Sequence, residues 1–372
     1  MDHEPDLTAR IKAEALRLGF FKIGIAAAGQ LPWREHFEDW LAQGMHGKMA
    51  WLERQAEKRM SPALVLAGVR SILVLAMNYH VGRAESGDPL HGRISRYAWG
   101  EDYHDVLAGR LGPLMDFIRR AAPAARGLYY ADTGPVMEKV WGARSALGWM
   151  GKHTNLITRA QGSWFFIGVI LLNLELEYDA AEQDYCGTCC RCIRACPTGA
   201  IVAPYKVDAR LCISYLTIEL RGPVPRALRP MIGNRIFGCD DCQEVCPWNR
   251  FAVAAAEEAF LPGDAGYMPE LAGLVSLGEP EFNRRFSTSP VRRATREGLV
   301  RNAVIALGNS HDARAIPPLA EALRDSSAVV RGHAAWALGQ IKDAAALRAL
   351  AAARKEEQDA GVLEEIDVAL RP

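Results

Sequence analysis

Cys186, Cys189, Cys192 and Cys196, closed by Pro197, follow the spacing C-x2-C-x2-C-x3-C-P. A run like this lets one tight loop wrap a 4Fe-4S cube with its first three thiolates, while the fourth reaches a different cube. A second burst, Cys239, Cys242 and Cys246 before Pro247, lacks the first member of such a run. Cys212, in "RLCISYL", is the candidate replacement, and Cys190, between two ligands of the first loop, reads as a bystander. The ledger then closes on two cubes. Cys186, Cys189, Cys192 and, by crossover, Cys246 hold the first; Cys196, Cys212, Cys239 and Cys242 hold the second. Zinc knuckles, the rival donor chemistry, need two separate C-x2-C pairs and leave the C-x3-C-P endings unexplained.

All nine cysteines lie between residues 186 and 246 of a 372-residue chain, which is not how disulfides staple a molecule of this size. The opening "MDHEPDLTARIKAEALRLGF" is acidic and then amphipathic, with no basic segment leading into an apolar one, so a cytoplasmic location is expected. The longest apolar stretch, "WFFIGVILLNLELE" from Trp164, is short for a membrane span and reads as a buried strand. With 44 basic and 44 acidic residues, the chain as a whole has no electrostatic preference for nucleic acid, and any such contact must come from a local patch.

Three regions follow from composition. Residues 1–180 alternate helical stretches with the strands "FKIGIAAA" (21–28), "SILVLAMNYH" (71–80), "GLYYADTG" (127–134) and "WFFIGVILLN" (164–173), an α/β layer domain. It carries neither a dinucleotide fingerprint nor a P-loop. Residues 181–260 form a ferredoxin-like two-cluster module. Residues 261–372 form a helical region that turns Ala- and Leu-rich after about residue 290, with the echo "AVIALGN" (303–309), "AAWALGQ" (334–340) and "IDVALRP" (366–372). A period of about 31 residues predicts stacked, HEAT-like helix pairs too few to stand alone, docked on the cluster module. At the start of this region Arg284, Arg285, Arg292, Arg293, Arg296 and Arg301 face a single acid, Glu297. They are a candidate phosphate-binding patch, against the alternative of a solvated helix face paired with acids elsewhere.

The segments "RYAWGEDYHDVL" (96–107), "DTGPVMEK" (132–139), "GWMGKHTNLI" (148–157), "CISYLTIE" (212–219) and "GNRIFGCDDCQEVCPWN" (233–249) together closely resemble the epoxyqueuosine reductases, cobalamin-dependent iron-sulfur enzymes of tRNA modification. The resemblance spans nearly the whole chain and includes the unusual lone Cys212. It implies a corrinoid-binding first domain and reduction of the epoxide of epoxyqueuosine, at the anticodon wobble position, to the alkene of queuosine. It makes Asp132 the proton donor, against a reading of Asp132 as a helix N-cap ahead of Pro135. Tyr103 and His104 fall beside the substrate. Arg59, Arg96, Tyr97, Lys152 and His153 are candidate contacts to cobalamin. Leu107 stands where the D-x-H-x-x-G pattern requires glycine, so no protein histidine is expected on cobalt.

The implied partners are a tRNA with a queuosine-type anticodon and a low-potential electron donor, with the chain acting as a monomer away from membranes. Two rival functions share these features: a corrinoid reductive dehalogenase, normally exported by a twin-arginine signal, and a ferredoxin-type carrier fused to a helical binding module with no catalytic site.

Overall fold

The computed structural model describes residues 6–31, 33–82, 86–263 and 266–371. The first acidic residues and the proline ending the third echo lie outside them. Helix α1 (Leu7–Arg17) buries Thr8, Ile11 and Ala15, a spacing that puts all three on one face. Strands β1 (Lys22–Ala27), β2 (Ser71–Asn78), β3 (Gly127–Tyr130) and β4 (Phe165–Leu172) form one sheet in the order β1-β2-β4-β3, antiparallel throughout. Alternating side chains of β2 feed two cores. Leu73, Leu75 and Met77 face α1 and helix α2 (Tyr103–Ala121), while Ile72, Val74 and Ala76 face Trp141 of helix α3 (Glu138–Arg144). Burial on both faces explains why β2 and β4 read as unbroken apolar runs. Among the described residues no helix is long and apolar enough to cross a membrane.

The cysteine module is sewn into this layer. Arg235–Phe237 pairs in parallel with Arg93–Ile94, and Gly238 then turns the chain into Cys239 with φ +70°. A Cβ on Gly238 would lie 2.6 Å from that of Ser95, so glycine serves both the turn and the close approach.

The tail contains helices α4 (Thr295–Ser310), α5 (Ile316–Ala322), α6 (Ala328–Ile341), α7 (Ala344–Ala353) and α8 (Ala360–Ala369). Asp343 and Asp359 cap α7 and α8 by accepting from Ala345 N and from Gly361 and Val362 N. The echo has a packing cause. A Cβ on Gly308 would lie 2.8 Å from Ala337 Cα, and one on Gly339 2.7 Å from Ala369 Cβ. Each of these two glycines therefore admits the next helix, and Arg371 occupies the equivalent position of the third echo.

The tail does dock on the cluster module. Asn302 of α4 donates to Thr217 O and Ile236 O, both at 2.8 Å. One buried cluster runs from Ile94 and Trp99 through Ile213, Leu216 and Phe237 to Ile366, so the cluster module and the tail share a core that crosses residue 261.

Candidate active site

Eight cysteines gather in two groups of four. Cys186, Cys189, Cys192 and Cys246 line one cavity of about 250 Å³; Cys196, Cys212, Cys239 and Cys242 line the wall of another of about 620 Å³. The grouping is the one the crossover ledger gives, and Cys190 lines neither cavity, with its sulfur 3.6 Å from Thr188 O. Among the described residues no three such donors converge on one point fit for a single ion. Desolvation, opposed by the Ile193 backbone N–H, pushes the Cys192 thiol up to about 11. Desolvation and then Cys239 and Cys212 raise Cys242 well above the ordinary thiol range. Eight thiolates so placed repel one another strongly, and iron supplies the positive charge that relieves it, so the donor set fits two clusters.

Two of the residues expected at cobalamin instead brace these loops. Lys152 Nζ donates to Gly187 O (2.6 Å) and Cys189 O (3.0 Å), fixing the first loop. Arg96 grips the second: its Nη1 lies 2.7 Å from Glu244 and 3.4 Å from Asp240, and its guanidinium lies over Trp164 and Trp99. Asp240 also accepts from Ser95 Oγ and Arg96 N. Neither Lys152 nor Arg96 lines the large cavity.

Arg59 is likewise outside that lining, behind the Asp132 turn, with Nη1 3.4 Å from Val136 O. Tyr97 and His153 do line it. His153 also lines the first cluster's cavity, its buried Nε2 has no protein partner, and desolvation holds it at about 4, hence neutral.

Asp132 stands at the rim of the large cavity with its side chain 64% exposed and φ +60°. Helix α3 begins only at Glu138, with Met137 as its N-cap residue, so Asp132 caps nothing. Its Oδ2 accepts from Tyr103 Oη at 2.7 Å, and its backbone N–H donates to Glu138 Oε1 at 2.7 Å. Burial and then Asp132 push the Glu138 carboxyl well up. The Tyr103 ring is stacked on Phe166 at 4.3 Å, and desolvation, then Asp132, raise its phenol, which stays a donor. His104 Nδ1 lies 2.5 Å from Asp102 Oδ1, and Arg293 Nη2 lies 2.6 Å from His104 Nε2. The same Arg293 Nη2 also lies 2.8 Å from His104 Nδ1.

The arginine run divides. Arg293 enters the site, over the Tyr103 ring at 5.8 Å. Arg301 is 1% exposed and donates to Leu216 O, Leu220 O and Gly222 O; it is a framework residue, not a phosphate contact, because no surface is left to it. Arg296 is bound to Asp325 (2.5 Å) and Leu277 O (2.8 Å), Arg284 pairs with Glu281, and Arg285 lies over the Phe286 ring. Arg292 is exposed, 3.3 Å from Ser287 O. Asp102, Glu138, Lys139 and Asn155 join the site without having been singled out; Lys139 Nζ donates to Asn155 Oδ1 at 2.7 Å. All four lie inside or beside segments that carry the resemblance, which is the signal that marks them.

Comparison with known proteins agrees with this arrangement. Residues 59–133 match the family model "Epoxyqueuosine reductase QueG, DUF1730", 185–249 a 4Fe-4S double cluster binding domain, and 291–371 HEAT repeats. The epoxyqueuosine reductase of Xanthomonas campestris is 42% identical over 343 residues, covering 90% of this chain and 96% of that one. The Escherichia coli enzyme is 38% identical over 338 residues, covering 90% and 89%. A crystal structure of epoxyqueuosine reductase with a tRNA-Tyr epoxyqueuosine-modified stem loop superposes with a TM-score of 0.91 at 32% identity, covering 98% of both chains. The Streptococcus thermophilus enzyme gives 0.85 at 27% identity, again covering 98% of both. With its two sulfur groups and its helical tail matched across nearly its full length, the chain belongs to the epoxyqueuosine reductase family.

Proposed function

We infer that this protein reduces epoxyqueuosine to queuosine at the wobble position of tRNA. The observation that carries the reading is one continuous cavity joining Asp132, Tyr103 and Arg293 to the four thiols Cys196, Cys212, Cys239 and Cys242. A pure electron carrier has no use for a substrate-sized cavity beside its cluster. Removing the epoxide oxygen takes two electrons and two protons and leaves an alkene and water. The iron-sulfur clusters, when bound, supply the electrons one at a time.

The cavity's residues fit cobalamin. Its broad walls include Val140, Phe165, Ile167, Ile213 and Ile218, apolar enough for a flat macrocycle, and the unpartnered His153 Nε2 is available to a polar substituent. Cobalamin would provide a strong reductant at the epoxide carbon; Tyr97 and His153 remain its contacts among the residues named from the sequence.

In this reading Asp132 delivers a proton to the departing oxygen from Oδ1, while Tyr103 Oη, donating to Oδ2, holds the carboxyl in place. Arg293 offers positive charge where the oxygen develops negative charge. His104, pinned between Asp102 and Arg293, orients rather than protonates. Arg292 and Arg285 are left for the RNA backbone. Arg292→Ala should weaken tRNA binding modestly and reduce its salt slope by about one, whereas Arg293→Ala would strike the site itself.

The deciding experiment supplies anaerobic protein, reconstituted with iron, sulfide and cobalamin, with epoxyqueuosine tRNA and a low-potential reductant. Queuosine in the digested tRNA is the expected result. Its absence from protein of verified cofactor content would overturn the reading.

A further inference from the structure

The two sulfur groups open in different directions. Cys196, Cys212, Cys239 and Cys242 line the cavity that holds Asp132, while the cavity of Cys186, Cys189, Cys192 and Cys246 has Arg191, Arg250, Tyr185 and Trp248 in its wall. Arg191 and Arg250 are exposed, as is Arg159, whose guanidinium stands 5.1 Å over the Tyr185 ring. Arg250 stands 4.5 Å over the Phe251 ring, and Tyr185 and Phe251 are 37% and 40% exposed.

None of Arg159, Arg191 and Arg250 has a carboxylate partner among the described residues. The acid beside them, Asp184, is engaged by Tyr205 Oη and Cys186 N, and the Lys152 ammonium is taken up by two carbonyls. On a chain of zero formal charge, unpaired arginines at this opening are a local field aimed outward.

We propose that this rim of arginines and aromatic rings is the docking face for a small acidic electron-carrier protein, which reduces the first cluster. The proposal rests on reading the chain as a reductase that consumes two electrons. Each encounter oxidises the carrier by one electron and reduces the cluster by one. With both clusters bound, the second would take the electron onward, and two encounters would supply what the epoxide takes up with its two protons. Redox encounters of this kind use small interfaces and depend on steering rather than area. Three charges around exposed rings suit that need.

The test is anaerobic stopped-flow mixing of the reconstituted full-length protein with a photoreduced acidic flavodoxin, following the bleaching of 4Fe-4S absorbance. The second-order rate should fall as salt is raised, and Arg191→Glu with Arg250→Glu should slow it about tenfold or more at low ionic strength. Arg159→Glu with Arg250→Glu, which leaves the first cysteine loop untouched, should slow it similarly. Bleaching by dithionite and affinity for the tRNA stem loop should match the parent. A parental flavodoxin rate in both charge-reversed proteins would overturn the proposal. So would weakened tRNA binding with an unchanged flavodoxin rate, which would assign the rim to nucleic acid. Bleaching needs no epoxyqueuosine, so failure of dithionite-reduced enzyme to make queuosine would count against the reductase reading alone.

Discussion

Asp132 occupies left-handed backbone, φ +60°, a region in which aspartate and asparagine are the least penalised residues after glycine. Asp132→Asn therefore keeps the turn and the Tyr103 hydrogen bond while removing the acidic proton. Single-turnover reduction of epoxyqueuosine tRNA should fall by roughly 10²- to 10⁴-fold, with thermal stability and iron content unchanged. A near-parental rate would remove Asp132 from the chemistry and leave Tyr103 as the next donor to test. The segment "DTGPV" made this residue visible in the sequence but not its state, because its partner Tyr103 comes from helix α2. Arg293 was visible for a different reason. A run of like charges reads as a surface patch, and nothing local distinguishes the guanidinium that reaches His104 from Arg301, which reaches three carbonyls.

At the scale of elements, ligand spacing was legible because loop length alone limits which thiols can share a cube. The braces were not. Lys152 and Arg96 sit in segments that flank the catalytic cavity in sequence, but their side chains point to the cysteine loops. Lys152 satisfies two carbonyls of the first loop, so Lys152→Met leaves both without a donor and frees the loop to open. The expected outcome is faster loss of iron from the first cluster under a chelator, by several-fold, with the second cluster intact by EPR. Equal loss from both clusters would show that Lys152 stabilises the module as a whole. The strands were the most legible elements. The stretches 71–80 and 164–173 contain β2 and β4, and 127–134 contains β3 and then the Asp132 turn. Their antiparallel order was not, since apolar runs reveal burial without direction.

On the scale of the whole molecule, the three regions share a continuous core, and one histidine records the joint between two of them. His333 of α6 is 1% exposed; its Nδ1 faces Val329 O at 2.7 Å, and its Nε2 accepts from Val224 N at 3.2 Å. Desolvation, and then Arg229, hold it at about 3, far below an unfolded histidine. Between about pH 6.5 and that value the unfolded chain binds a proton that the native one refuses, so stability must fall as pH falls through this window, by up to about 1.4 kcal/mol per pH unit. His333→Gln should flatten the pH dependence of the unfolding midpoint by close to one proton below pH 6, relative to the parent. An unchanged slope would mean that His333 takes up its proton in the folded state.

The same shared core decides what removal of the tail would do. The sequence suggests a domain boundary near residue 261, and a modular tRNA-binding appendage would leave behind an active, well-folded reductase. The buried cluster crosses that boundary, with α4 donating through Arg301 and Asn302 to carbonyls of the cluster module and Arg293 reaching the catalytic rim. A chain ending at residue 290 would expose the apolar side of Ile213, Leu216, Ile236 and Phe237, all 2% exposed or less in the full protein, at a cost of roughly 1.5–3 kcal/mol for each such side chain. That sum approaches the whole stability of an ordinary domain. The truncated protein should therefore aggregate or bind substoichiometric iron, with Cys212 and Cys239 in the destabilised region. Iron content and limited proteolysis after anaerobic reconstitution measure this directly. A soluble fragment carrying two full clusters and reducing them at the parental rate would show that the tail is an independent module after all.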